Sequence, residues 1–133
     1  MRGKDDEYFV AAELTRRGYV VAMPPGNFTG TDLFVESPEG AIFGIEVKSL
    51  RKSNFWLIKD SNVITPRYHI LVFLPENQSP QYFLFTPKQM KAEKDKYWEG
   101  CKARGATERT TLHQGFNWSQ AKPYLNKWSA LPA

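Results

Sequence analysis

Cysteine is almost missing from this sequence. Cys101 is the only one, so no internal disulfide can form and nothing argues for an oxidising compartment. Histidine is scarce as well, limited to His69 and His113, and the lack of any CxxC or Cys/His cluster argues against a structural zinc site. Long apolar runs are lacking: the stretch at 70–74 is far too short to span a bilayer. Residues 1–7 are charged and lack an apolar stretch of signal-peptide length. Repeats and low-complexity tracts do not occur. These absences lead to the expectation of a soluble, cytoplasmic protein with no membrane partner.

What is present suits a packed core. Of 133 residues, 41% are hydrophobic and 14% aromatic, which excludes disorder and predicts one domain over 1–133. The net charge of +4 is unevenly spread. Residues 1–87 hold nine Lys/Arg against ten Asp/Glu, and residues 88–133 hold nine against four. A basic end beside a more acidic half suits a polyanion held next to a metal, although a solvated basic surface would look the same.

The pattern predicts a helix over 4–17 closing at Gly18, with Glu7 on the stripe shared by Val10, Ala11 and Leu14. Short β-prone runs follow at 19–23 and 31–35, separated by Pro24-Pro25-Gly26 and a polar loop at 27–30. Ser37-Pro38-Glu39-Gly40 signals a hairpin turn into a third strand at 41–49. There Phe43, Ile45 and Val47 share one face, and Gly44, Glu46 and Lys48 the other. Residues 51–68 read as a short helix or irregular crossover. The run at 69–74 has the pattern of a buried central strand, and 82–85 is a further strand. Thr86-Pro87 supplies a cap and a first-turn proline for a helix reaching about residue 99. A long polar loop is expected at 100–115, and a last helix at 119–128 that Pro123 interrupts or starts. The order α-β-β-β-(α)-β-β-α is that of a mixed α/β domain.

Glu46-Val47-Lys48 is the only [D/E]-x-K in the chain, and it ends an apolar strand. Asp32 begins the preceding strand of the expected hairpin. Hydrolysis of a phosphodiester calls for a hard cation such as Mg²⁺ on carboxylate and carbonyl oxygen, with a lysine near the attacking water. Asp32 and Glu46 supply carboxylates, the main-chain carbonyl of Val47 a further ligand, and Glu7 another carboxylate from the helix; Lys48 would assist the water. The alternative is a plain ion pair of Glu46 and Lys48 on an exposed sheet face. Arg51, Lys52 and Lys59 follow the motif closely and are the candidates for phosphate contact. Lys88, Lys91, Lys94, Lys102 and Arg104 read as a solvated helix face, and His69 and His113 as structural or solvated. Trp98, Phe116, Trp118, Tyr124 and Trp128 are expected to pack a C-terminal helix against the sheet.

Gly3-Lys4 with Glu7, Gly18-Tyr19-Val20-Val21, Gly30-Thr31-Asp32-Leu33 and Ile45-Glu46-Val47-Lys48-Ser49 together resemble the PD-(D/E)XK, or restriction endonuclease-like, nuclease superfamily. The likeness is to its Holliday junction resolvase-like branch over residues 3–50. Beyond residue 50 it is to a group of small stand-alone members, through such segments as Asn54-Phe55-Trp56-Leu57 and Tyr124-Leu125-Asn126-Lys127-Trp128. The resemblance implies a restriction endonuclease-like core, a central mixed sheet flanked by helices, with Mg²⁺ or Mn²⁺ as cofactor. Thr31 stands where the motif proline normally precedes the aspartate. The expected activity is metal-dependent endonuclease cleavage of nucleic acid, DNA before RNA. A nuclease fold that binds nucleic acid or a protein partner without cutting is the alternative, and a toxin, immunity or defence component acting on RNA is a third. Cleavage of both strands would call for a homodimer, since a lone site cuts one.

Overall fold

The computed structural model of the chain describes residues 5–24, 30–60 and 66–133. Lys4 at the start of the expected first helix, most of the loop expected at 27–30, and residues 61–65 of the crossover lie outside the described residues.

The first helix, α1, spans Asp5–Arg16. Val10 and Leu14 on its apolar stripe are fully buried, a gain of about 1.5–3 kcal/mol for each side chain withdrawn from water. Gly18 ends the turn with φ +93°, a conformation that costs glycine nothing. Three strands then form an antiparallel meander: β1 (Val20–Ala22), β2 (Leu33–Glu36) and β3 (Ile42–Leu50). The turn between β2 and β3 is held by the Ala41 N–H donating to Ser37 Oγ at 2.9 Å. After the crossover, β5 (Tyr68–Phe73) pairs in parallel with β3, and β6 (Gln81–Phe85) closes antiparallel on β5. The result is a mixed five-stranded sheet of order β1-β2-β3-β5-β6 with helices against it, an α/β architecture.

Each face of the sheet carries its own core. Ile45 and Val47 of β3 join Val10, Leu14, Leu33, Val35, Ile70 and Val72 beneath α1. On the other face Leu71 joins Phe83, Phe85 and Met90 of the helix α2 (Pro87–Ala103). Thr86 and Gln89 cap α2 reciprocally, each side chain accepting from the other's main-chain N–H.

Three stretches differ from the sequence-based expectation. Residues 51–60 hold bends and a three-residue strand, β4 (Phe55–Leu57), with no helix. β4 pairs with β7 (Gly115–Asn117) as a second, two-stranded sheet, Trp56 facing Phe116. Helix α2 runs on through Gly100 to Ala103, and a 3₁₀ turn at Thr111–His113 interrupts the expected loop. The last helix shrinks to α3 (Trp118–Ala121), because Pro123 cannot continue it and instead starts the 3₁₀ turn Lys122–Tyr124. The chain then runs beside β6, where the Asn126 N–H donates to Tyr82 O at 2.8 Å, and returns to the α1 side, where Leu131 is buried. The C-terminal aromatics do pack: Trp118 stacks on Trp56 at 5.5 Å between ring centres, and Tyr124 on Phe85 at 4.1 Å. Among the described residues no helix is long and apolar enough to cross a membrane.

Candidate functional site

The face of β3 that carries Gly44, Glu46 and Lys48 is the one turned away from α1. Alternation along the strand sends Ile45 and Val47 into the α1 core, and so aims their neighbours at the opposite side. Glu46 is buried there, 9% exposed, at one end of a cleft of about 460 Å³ between the sheet and α2. A buried carboxylate must be offset by cations or donors to persist.

Two nitrogen-bearing side chains stand beside it. Lys48 Nζ, from the same strand, lies 3.6 Å from Glu46 Oε2. His69 Nε2, from β5, lies 3.6 Å from Glu46 Oε1. The parallel register sets Glu46 opposite His69, and so fixes the second contact. Burial works to raise the Glu46 pKa, but hydrogen bonding and attraction from His69, with Lys48 beside it, outweigh that and hold it below the usual 4.5. His69 Nδ1 is buried without a hydrogen-bond partner among the described residues.

Asp32 meets β3 from the other side. It stands one residue before β2, where Leu33 pairs with Ile45. Its N–H donates to Ile45 O at 3.0 Å, and its Oδ2 accepts from the Val47 N–H at 2.7 Å. These two bonds straddle Glu46. In an extended strand the N–H and C=O of one residue leave by the same edge, so the Val47 carbonyl also faces the Asp32 side. Asp32 is thus joined to the main chain of β3 on either side of Glu46, and Lys48 is joined to Glu46 by its ion pair.

Glu7 comes from a different element. It sits on α1, whose Val10 and Leu14 cover the opposite face of the sheet. Among the described residues no group of three or more His, Cys, Asp or Glu side chains has the spacing to hold a metal, so Glu7 completes no such set there. Mg²⁺, however, is commonly held by only one or two carboxylates with water filling its other positions. Asp32, Glu46 and the Val47 carbonyl are oxygen donors of the kind such a site uses.

The cleft walls are mainly basic. Lys59, Arg67, Lys91, Lys94 and Arg109 line it together with Asp60, Asp95, Glu46 and His69. Lys94, only 7% exposed, is tied to Asp60, which follows β4. Asp95 receives Lys91 at 2.7 Å and Arg109 at 3.7 Å. Of the three candidates for phosphate contact, Lys59 lines the cleft, whereas Arg51 and Lys52 are exposed just beyond β3.

Against protein-family models, curated proteins and solved structures, the chain gives no match. Its site must be argued from its own geometry.

Four cleft residues were missed or undervalued in the sequence. His69 opens an apolar run and reads as a strand end; only the register with β3 turns it toward Glu46. Arg67 and Arg109 belong to no motif, and Lys94 reads as one more charge on a helix of mixed sign. The one available signal for Arg67 and His69 is their spacing: on one strand, residues two apart share a face.

Proposed function

We propose that the chain is a metal-dependent nuclease of the PD-(D/E)XK type, with a restriction endonuclease-like core, acting on nucleic acid and on DNA in the first place. The observation that carries this reading is the position of Asp32. Its carboxylate is anchored on the Val47 N–H while its own N–H is anchored on Ile45, so it is held across Glu46 from a neighbouring strand, with Lys48 on the same face.

Mg²⁺ or Mn²⁺ would be held by Asp32, Glu46 and the Val47 carbonyl, and when bound would polarise the scissile phosphate and lower the pKa of water. The chain's own groups do the rest. Lys48 is half-exposed beside Glu46, where it would orient an attacking water and offset charge gathering on phosphate. The basic walls, Lys59 among them, attract the polyanion and hold its backbone. The buried thiol of Cys101 suits a reducing compartment, and the reading takes the protein to be cytoplasmic. Double-strand cleavage would require two copies of the site in a homodimer.

The test is cleavage of single- and double-stranded DNA and RNA with and without Mg²⁺ or Mn²⁺. Expected is cation-dependent cleavage reduced by at least about 100-fold in Asp32→Ala, Glu46→Ala and Lys48→Ala. Full activity in these variants would sink the reading, because it would identify a contaminant.

One observation favours a second reading, a binding module that does not cut. Both Glu46 oxygens already have a side-chain nitrogen 3.6 Å away, from Lys48 and His69, so the carboxylate has partners without a metal. That reading expects salt-sensitive binding with no turnover in either cation.

A further inference from the structure

Arg67 immediately precedes β5 and shares its cleft face with His69, two residues on. It stands one step before the pair Ile45–Tyr68, which brings it beside Gly44 of β3. Its side chain does not rise into solvent. It runs across β3, and its Nε donates to Thr31 Oγ1 on the far side. Thr31 is itself buried, 2% exposed, and directly precedes Asp32.

Gly44 makes that path possible. A Cβ added there would lie 3.1 Å from Thr31 Cγ2 and 3.7 Å from Arg67 Cγ. Any longer side chain would fill the channel in which the arginine stem lies. The tie therefore has three parts: a glycine leaves the track open, a buried hydroxyl accepts from Nε, and the arginine lines the cleft that Glu46 also lines. An arginine fixed through Nε presents a planar fork of known orientation, and that geometry matches two oxygens of one phosphate.

We propose that Arg67 is the residue that grips the backbone phosphate at this site, and that Thr31 is a positioning residue acting through it. This rests on the nuclease reading and names a contact within it. The ligand class is a phosphodiester, gripped without regard to base. Thr31, where the resembled motif has proline, thus takes a task proline could not perform, for proline has no hydroxyl.

The experiment is binding of a fluorescently labelled single-stranded DNA oligonucleotide in chelator, by anisotropy over a salt series, with cleavage measured in parallel. Arg67→Ala is expected to weaken binding by about tenfold or more and to lower the slope of log affinity against log salt by about one. Arg67→Lys is expected to restore the slope but not the affinity, since an ammonium keeps the charge and loses the fork. Thr31→Val should raise KM for cleavage with the salt slope unchanged, and Thr31→Ser should recover it. If Arg67→Ala fails to fold, Arg67→Lys and the two Thr31 variants decide the matter. Unaltered affinity and slope in Arg67→Ala, or identical behaviour of Thr31→Val and the parent chain, would overturn the assignment while leaving the nuclease reading standing. Absence of binding and cleavage by the parent chain would overturn both.

Discussion

Glu46 on β3 and His69 on β5 face each other in register, carboxylate and imidazole 3.6 Å apart in the lining of a basic cleft. They are distant in sequence, and only the parallel pairing of their strands joins them. With Lys48 at the same distance on the other oxygen, a buried carboxylate keeps its charge where it would otherwise take up a proton.

A pH dependence follows. The folded-state pKa of Glu46 lies below 4.5, so its charged form contributes stability that is full above that value and is lost as pH falls through the lowered one. In chelator, the thermal midpoint of the parent chain should decline from about pH 5 downward. Glu46→Gln should flatten part of that decline. Superimposable acid profiles for the two proteins would contradict the assignment.

Asp32 allows structure to be separated from chemistry. Asp32→Ala leaves the Val47 N–H without its acceptor, a cost of about 1–3 kcal/mol. Asp32→Asn keeps an amide oxygen for that N–H and should stay near parental stability in a denaturant titration. Both should lose cleavage by at least about 100-fold, because neither retains the anionic oxygens. An active Asp32→Asn would remove Asp32 from the chemistry.

Lys94 is buried and its partner Asp60 largely exposed, which gives the pair an asymmetric response. Asp60→Ala strands the ammonium and should cost about 1–2 kcal/mol, moderated by solvent screening at the exposed aspartate. Adding Lys94→Met should recover most of that loss. Urea unfolding of the two single variants and the double variant measures the coupling, and strict additivity would show that the pair contributes nothing.

Two glycines with positive φ should respond differently to alanine. At Gly40 nothing lies within 4 Å of an added Cβ, so Gly40→Ala carries only a backbone cost of about 1–2 kcal/mol. At Gly115 the Cβ would fall 1.8 Å from Trp56 O, and φ is +136°. Gly115→Ala should therefore lose more than about 3 kcal/mol. Equal melting temperatures for the two variants would refute the close approach at Gly115.

Where local rules act alone, the sequence was readable. The stripe of Val10 and Leu14, the alternation through Ile45 and Val47, and the Thr86-Pro87 cap each depend on neighbours within a turn or a strand. The pairing of Glu46 with Lys48 was legible for the same reason, since residues two apart on one strand share a face. Features made by distant partners were not legible. Phe55–Leu57 is too short to show a period, and its partner strand lies about sixty residues on. His69 and Arg67 owe their direction to a parallel register that no turn dictates. Gly100 reads as a stop, yet tertiary packing carries α2 past it.

The small β4–β7 sheet has a mechanical consequence. Its ladder continues through the Ile58 N–H to Gln114 O at 3.0 Å and the Asp60 N–H to Gln114 Oε1 at 2.6 Å, and Asp60 then holds Lys94 on α2. One wall of the cleft thus hangs from a clasp whose two halves must find each other across a long stretch of chain, which makes its closure entropically costly. Amide protons of residues 56–58 should then exchange with solvent sooner than those of Ile70 and Val72, and loosening of the clasp would free the wall that carries Lys59 and Asp60.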